Sequence, residues 1–406
     1  QYKAGEKYAD YGMPNAVNGA MEVKTTDLIR QLWLDNGYYG DVFSLNYNKT
    51  GTVVTLGGAV TRYNGDHYGR VTWAQNGLTE AKRWYDLTAT KSDANVYAKW
   101  QQNLSTSIQL YTDLQWRGIN YKLNGFRNNP SLSLTNRYNF FNPKIGLSYL
   151  KNEWSGYASY GIGNKEPNRD DFETAAGQQP KAERLQDVEL GFQQKNKQFN
   201  WGATLYHMKY KDQLVLTGKL NDVGAYTRTN VDNSYRQGIE LQAGMRIASW
   251  LQASGNLAFS KNRLKNFNEY IDDYDLGIQK INTYRETDIS FSPAVVSAVT
   301  FTVSPLEKLE IAFMSKFVSK QYLDNTSNDN RSLAAYFTQN VGVGYSFSRR
   351  GLKNVGLSLN LINVFNTFYE PNGYTFSYYN NSRLTTENYY FPMAGFNAVI
   401  GVNVRL

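Results

Sequence analysis

An all-β fold, built as a transmembrane antiparallel β-barrel, is what this sequence predicts, and three observations predict it. Apolar and polar residues alternate along many segments. The alternating segments run to about 10–14 residues, against a usual strand of about 5–6. The connections between them are short and long by turns along the chain.

From Arg236 to Ile247 the set Arg236, Gly238, Glu240, Gln242, Gly244, Arg246 interleaves with Gln237, Ile239, Leu241, Ala243, Met245, Ile247. Successive strand side chains point to opposite faces, so this segment has one oily face and one wet face. The pattern recurs. Ile108, Leu110, Leu114 and Trp116 oppose Gln109, Tyr111, Asp113, Gln115 and Arg117. Val188, Leu190 and Phe192 oppose Asp187, Glu189 and Gln193, and Phe199, Trp201, Ala203 and Leu205 oppose Asn200, Gly202 and Thr204. Leu251, Leu257 and Phe259, then Val341 to Phe347, then Val355 to Leu361 repeat it. A tilted strand needs about 9–11 residues to cross the hydrocarbon layer, and these segments have them.

Short turns are expected at 48–51, 103–105, 151–153, 195–198, 248–249, 304–306 and 348–351. Long loops are expected at 64–93, 123–137, 164–184, 212–233, 261–292, 320–334 and 366–392. Short turns on one side and long loops on the other is the layout of an outer-membrane barrel. Strands are expected to start near Tyr38, Thr52, Val96, Ser107, Phe140, Trp154, Leu185, Phe199, Tyr235, Trp250, Pro293, Leu309, Ala335, Lys353 and Gly395. That makes about fifteen, whereas a bacterial single-chain barrel has an even number. Either residues 24–34 form a sixteenth strand, or the chain is the C-terminal part of a larger barrel. The 24–34 stretch alternates poorly, which favours the second.

Composition narrows the function. The 406 residues carry 43 Lys plus Arg and 35 Asp plus Glu, for a formal net charge of +8. The absence of Cys excludes a disulfide scaffold, a Cys-ligated zinc site and a thiol nucleophile. Two His, His67 and His207, exclude a multi-histidine metal site within the chain. Mean hydropathy is −0.56, compatible with a barrel, whose strands average apolar with polar. The cations are scattered, with no block longer than Arg349–Arg350, so nucleic acid is not the expected partner. The chain opens on Gln1 without a signal-like segment, so any secretory signal is expected to have been removed or to lie outside it.

Several motifs carry a resemblance. The stretches LWLDNGYYGDVFSLNY (32–47), YGIGNKEPNRDDF (160–172), KAERLQDVELGFQ (181–193) and NLINVFNTFYEP (360–371) resemble the C-terminal barrel portion of a TonB-dependent outer-membrane receptor of the Bacteroidetes type. The last residues, GVNVRL (401–406), resemble the signal read by barrel-assembly machinery, with Val404 and Leu406 two apart. The resemblance implies a 22-stranded barrel, with a plug domain and about seven strands upstream of this chain. It implies energised uptake of a scarce large nutrient, foremost a ferric siderophore or similar metal chelate, and no enzyme activity. Implied partners are the TonB–ExbB–ExbD complex, an extracellular ligand, lipopolysaccharide and outer-membrane lipid, and a surface lipoprotein. Implied location is the cell outer membrane.

Candidate ligand-binding residues are Trp33, Arg169, Tyr374, Tyr378 and Tyr379. Rigid amphipathic aromatics give large contact area at small entropy cost, which suits Tyr374, Tyr378 and Tyr379 in the last long loop. For these and for Tyr389 and Tyr390, an aromatic girdle at the membrane interface is the plainer alternative. Arg169, in Glu166-Pro167-Asn168-Arg169-Asp170-Asp171, would meet an anionic ligand or else pair with its own neighbours. Asn268, Glu269, Asp272, Asp273 and Asp275, and separately Asp324 to Asn330, are oxygen-rich without calcium-loop spacing, so solvated loops are expected. Arg117, Arg236, Arg246, Glu189 and Glu240 fall on the polar face and are expected to pair across the lumen or face a plug. No cofactor is expected. The competing functions are a passive porin of about 16 strands and a structural subunit of an outer-membrane assembly.

Overall fold

The structure, a computed structural model, describes residues 1–78, 83–126, 132–172, 179–220, 226–349 and 351–405. No helix among the described residues is long and apolar enough to cross a membrane. Strands correspond one for one to the fifteen expected: Thr25–Lys49, Thr52–Ala74, Arg83–Asn103, Ile108–Asn124, Ser133–Lys151, Trp154–Lys165, Glu183–Lys195, Phe199–Leu220, Tyr226–Ala248, Leu251–Asp273, Val295–Leu306, Leu309–Val318, Tyr336–Arg349, Leu352–Ile362 and Asn397–Arg405. The pairings between successive strands are antiparallel. The expected terminal residue Leu406 and the second half of the Arg349–Arg350 pair lie outside the described residues.

The chain forms two compact units, Gln1–Trp100 with Asp113–Asn142, and Gln101–Thr112 with Pro143–Leu406. In the first, Thr25–Lys49 pairs with Thr52–Ala74 from Leu28↔Ala74 to Lys49↔Thr52. Gly51, at φ +78°, makes the turn, a left-handed conformation that costs a residue with a Cβ. The far end of this hairpin closes on a small core of Tyr11, Leu28, Val71 and Ala74. In the second unit the meander runs on through Glu183–Lys195, Phe199–Leu220, Tyr226–Ala248 and Leu251–Asp273, in unbroken register except for shifts at Leu216/Leu220 and Arg246/Ala248.

Three expectations need correction. The first long strand begins at Thr25, not near Tyr38, so residues 25–34 are its beginning rather than a sixteenth strand. They alternate poorly because Thr26 and Leu28 are buried and the strand Tyr2–Lys7 pairs along them. The turn expected at 304–306 falls at Glu307–Lys308, because pairing continues to Leu306↔Leu309. Several of the long loops are largely strand, whereas 320–334 is a loop as expected, with only Gln321–Tyr322 and Ser332–Leu333 paired in it. The 261–292 stretch is the hairpin of Leu251–Asp273 with Ile278–Asp288, and 366–392 contains the hairpin Asn372–Asn380 with Arg383–Phe391. The loops expected over 64–93 and 212–233 are likewise largely strand and 123–137 shortens, whereas 164–184 is a loop as expected, between strands ending at Lys165 and starting at Glu183; each of the four contains residues outside the described set.

These extensions were hidden because the rule of alternation turns over partway up the strands. Low on Phe199–Leu220 the residues Phe199 and Leu205 are exposed apolar side chains, as a lipid face requires. On the same parity Lys209 and Lys211 are exposed and charged. At Asp212 the backbone takes φ +53°, and beyond it Gln213 and Val215 are buried. On Leu251–Asp273, Phe259 is 45% exposed, while Leu264, Phe267 and Ile271 are each 3% exposed or less. Asn266, at φ +55°, sits in the step between Lys265↔Glu286 and Phe267↔Tyr284. Val215, Val231, Leu264, Phe267 and Ile289 then form a core with Tyr284 packed against it. The low halves leave apolar residues exposed, as a lipid-facing wall requires. The high halves bury them, as chains bathed in water do.

Candidate ligand-capture site

The hairpin Asn372–Asn380/Arg383–Phe391 presents a continuous aromatic surface. Tyr374 pairs with Tyr389, Phe376 with Glu387 and Tyr378 with Thr385, all on one face. Tyr374 stacks on Tyr389 at 4.8 Å with 9° between planes, and Phe376 lies 6.0 Å from Tyr389 and 6.2 Å from Tyr378. Tyr374 also meets Phe391 at 6.0 Å. Cross-strand aromatic pairs of this kind hold a hairpin together and leave a flat apolar surface. The opposite face is packed and polar: Thr375 donates to Asn388 Oδ1, Ser377 meets Thr386 at 2.7 Å, and Thr375 and Ser377 are buried. The tip turns on Asn381 and Ser382 at φ +51° and +57°, the two-residue conformation favoured in hairpins.

Charge is placed on and beside the aromatic face. The Tyr378 hydroxyl donates to Glu387 Oε1 at 2.8 Å, and Tyr389 donates to the other oxygen. Those bonds, Tyr389's first, hold the Glu387 carboxyl below its usual pKa and push both phenols up. On the opposite face, with Thr375 and Ser377, Lys280 Nζ lies 3.8 Å from the Tyr379 ring centroid and 2.7 Å from Asp273. Its hydrogen bond lowers the Asp273 pKa.

The hairpin is docked at its tip and at its side. Asp275 accepts from the backbone N–H groups of Asn381 and Ser382 at 2.9 and 2.7 Å, and Asp272–Asp273 pair in parallel with Tyr378–Tyr379. Tyr274 lies 5.6 Å from Tyr378. On the other side Asn388 Nδ2 donates to the Asn330 carbonyl at 2.7 Å. That loop is held by Arg331, whose guanidinium meets Asp324 at 2.8 Å and also Glu269. Glu269 takes a second bond from Tyr284 at 2.8 Å. Burial, then that bond, pushes the Tyr284 phenol up to about 12.

The oxygen-rich stretches are therefore struts. Glu269 and Asp324 hold Arg331, Asp273 holds Lys280, Asp275 caps the hairpin tip, Asp272 accepts from Gln279 and Asp329 from Lys320. Arg169 lies in the short 3-10 turn Arg169–Phe172. Beside it Asp171 receives the Asn168 N–H at 2.7 Å and the Arg228 guanidinium at 3.2 Å. Trp33 is on the strand Thr25–Lys49, in the first unit, stacked on Tyr68 at 6.0 Å with Arg70 5.6 Å from its ring. Of the five candidates the structure gathers Tyr374, Tyr378 and Tyr379 in one hairpin. His67 and His207 are both on strands, within 3.2 Å of Tyr63 and Gln237. Arg117 pairs with Asp93 of a nearby strand, and Arg236 meets Asn262 and Ser292.

Sequence reasoning missed Glu387, Lys280 and Arg331. For Glu387 a signal existed: Tyr374, Phe376 and Tyr378 alternate, and Asn381-Ser382 reads as a tight turn. Arg331 had none, because its partners are 7 and 62 positions away.

Residues 1–366 match the family model described as TonB dependent receptor-like, beta-barrel. The chain belongs to this family of outer-membrane transport receptors, of the transmembrane β-barrel class. Among solved structures it is similar to the copper transporter OprC, with TM-score 0.71, 15% identity, and coverage of 97% of this chain and 59% of that one. It is similar to the siderophore receptor PiuA from Acinetobacter baumannii, with TM-score 0.66, 18% identity, and coverage of 94% and 57%. The ferric-catecholate import receptor Fiu from E. coli K12 in its closed form gives 0.63, 15%, and coverage of 94% and 55%. The chain thus spans somewhat over half the length of these structures, and at such identity the likeness is one of fold. No curated protein matches.

Proposed function

We propose that the chain forms barrel wall and capture surface of a TonB-dependent transporter that takes up a large metal chelate, foremost a ferric siderophore. The observation that carries this reading is the docked hairpin with its face of Tyr374, Phe376, Tyr378, Tyr389 and Phe391. Aromatic or conjugated chelator arms would stack on that face, and Glu387, opposite Phe376, would orient their polar groups. Family membership and the siderophore, catecholate and copper transporters among its structural relatives support the cargo class. The relatives' greater length supports a plug and further strands elsewhere in the gene product, through which TonB–ExbB–ExbD would act. A surface lipoprotein partner is a further proposal of the same kind.

The test is growth of an iron-starved strain carrying the full-length gene, fed single ferric chelates, with and without TonB. Uptake of at least one chelate that needs both the gene and TonB is expected. Iron-independent expression together with TonB-independent growth on all of them would refute the reading.

A further inference from the structure

The aromatic hairpin also gathers hard oxygen donors. Glu387 lies between two phenols on the stacked face. Tyr389 stands two positions further along its own strand, and Tyr378 lies diagonally across from it, two positions beyond the Phe376↔Glu387 pair. Such neighbours are about 7 Å apart at the backbone, within reach of long side chains. Both hydroxyls therefore meet one carboxylate: Tyr378 donates to one oxygen at 2.8 Å and Tyr389 to the other. Glu387 is half-buried and Tyr389 is exposed. Phe376, whose ring centroid lies 6.0 Å from that of Tyr389 and 6.2 Å from that of Tyr378, borders the cluster.

These donors suit one kind of ion. A metal bound by a phenol takes the place of its proton. The bonds to Glu387 keep its carboxyl ionised and raise both phenols above their ordinary pKa. A small, highly charged cation is what displaces such protons near neutral pH. Carboxylate and phenolate oxygens are hard ligands, whereas thiolate and imidazole favour softer ions. The chain has no Cys, and its two His lie elsewhere, on the strands Thr52–Ala74 and Phe199–Leu220. Glu387 and both phenolates together carry the charge that a trivalent ion cancels. The bordering rings lower the local dielectric, which strengthens bonds between ion and oxygen.

We propose that Tyr378, Tyr389 and Glu387 bind ferric iron directly while the ion is still held by a chelator with exchangeable positions, such as a hydroxycarboxylate. As each phenolate bond to iron forms, the phenol O–H bond breaks, the oxygen keeps the electron pair and the proton passes to water. A water or a weakly held chelator oxygen leaves the ion in exchange, and the iron stays ferric throughout. A chelator that fills every position of the ion, such as a tris-hydroxamate, has none to give up and rests on the rings by stacking alone. The inference rests on the transport reading and narrows its cargo to open ferric complexes.

The test uses the full-length protein purified in detergent and titrated with ferric nitrilotriacetate, which leaves coordination positions open. Wild type is expected to develop a visible phenolate-to-iron charge-transfer band that saturates at one ion per protein. Gallium nitrilotriacetate, which gives no such band, should compete it away. Y378F and Y389F should each weaken iron binding by about tenfold or more, and Y378F/Y389F should abolish the band. Tyr345→Phe, exposed on the apolar face of Tyr336–Arg349, should keep it. A ferric tris-hydroxamate should give no band. Heat-modifiable gel mobility checks that each variant is folded. No band with wild type, a band kept by folded Y378F/Y389F, or a band from the tris-hydroxamate would each overturn the site. Uptake by cells reports separately on transport: uptake without the band sinks the site and leaves the transport reading, and the band without any chelate uptake does the reverse.

Discussion

Replacing Arg331 by alanine would strip a buried cation from two carboxylates at once. The Arg331 side chain is 6% exposed, Asp324 6% and Glu269 12%, so little solvent reaches any of them. Breaking a buried ion pair by removing one partner costs about 3–5 kcal/mol. At about 1.4 kcal/mol per decade, that raises the local opening constant by about 10²–10⁴-fold. The affected segment is bounded by the contacts: residues 320–333 lose their anchor, and the hairpin 372–391 loses the Asn388–Asn330 bond that ties it to that loop. Hydrogen–deuterium exchange on the full-length protein reads this directly. Peptides from 320–333 and 372–391 should exchange faster by at least a hundredfold where protection is measurable, while peptides from 251–259 stay unchanged. A variant with all three charges removed, R331M/E269Q/D324N, should recover most of the protection, because no unpaired buried charge remains. An R331A protein that keeps wild-type exchange in 320–333 would show that the guanidinium does not hold this loop.

Other expectations concern the capture face, the oily face and pH. Tyr374→Ala should weaken chelate binding about threefold to tenfold, the worth of one aromatic stack, in an equilibrium titration; an unchanged affinity would remove the hairpin from the binding surface. Leu190→Arg, paired with Leu205 in the oily face, should cost about 2–4 kcal/mol of folding into lipid vesicles, whereas Gln193→Arg on the polar face should cost far less. Asp273 and Glu387 both titrate below their ordinary values in the folded protein. The stability they lend is therefore complete above the unfolded-state pKa of about 4 and is lost as pH falls through the lower folded values. The near-ultraviolet circular dichroism of the stacked tyrosines should be flat from neutral pH to about 5 and decline below about 4. A decline already complete at pH 5 would contradict the sign.

Low on the strands the sequence was sufficient. Leu190, Leu205, Ile239 and Phe259 are paired in one row across adjacent strands, and each was assigned to the apolar face from alternation alone. Strands were placed within two residues at their turn ends, at Thr52, Ile108, Trp154, Phe199 and Leu309. A slab of hydrocarbon imposes one simple rule on every strand that crosses it: greasy side out, backbone bonded to its neighbour. That rule is local and leaves its print in the order of residues. Above the slab it lapses. Backbone pairing continues, but side chains answer to whichever neighbours fold over them. Strands there ran as much as 13 residues further than alternation indicated, as at Thr25 and Arg83. The Arg331 anchor, the Lys280–Tyr379 contact and the opposed Arg184 and Lys211 join residues distant in sequence. Only the registered sheet brings them together, because contact between them depends on pairings that no single segment encodes.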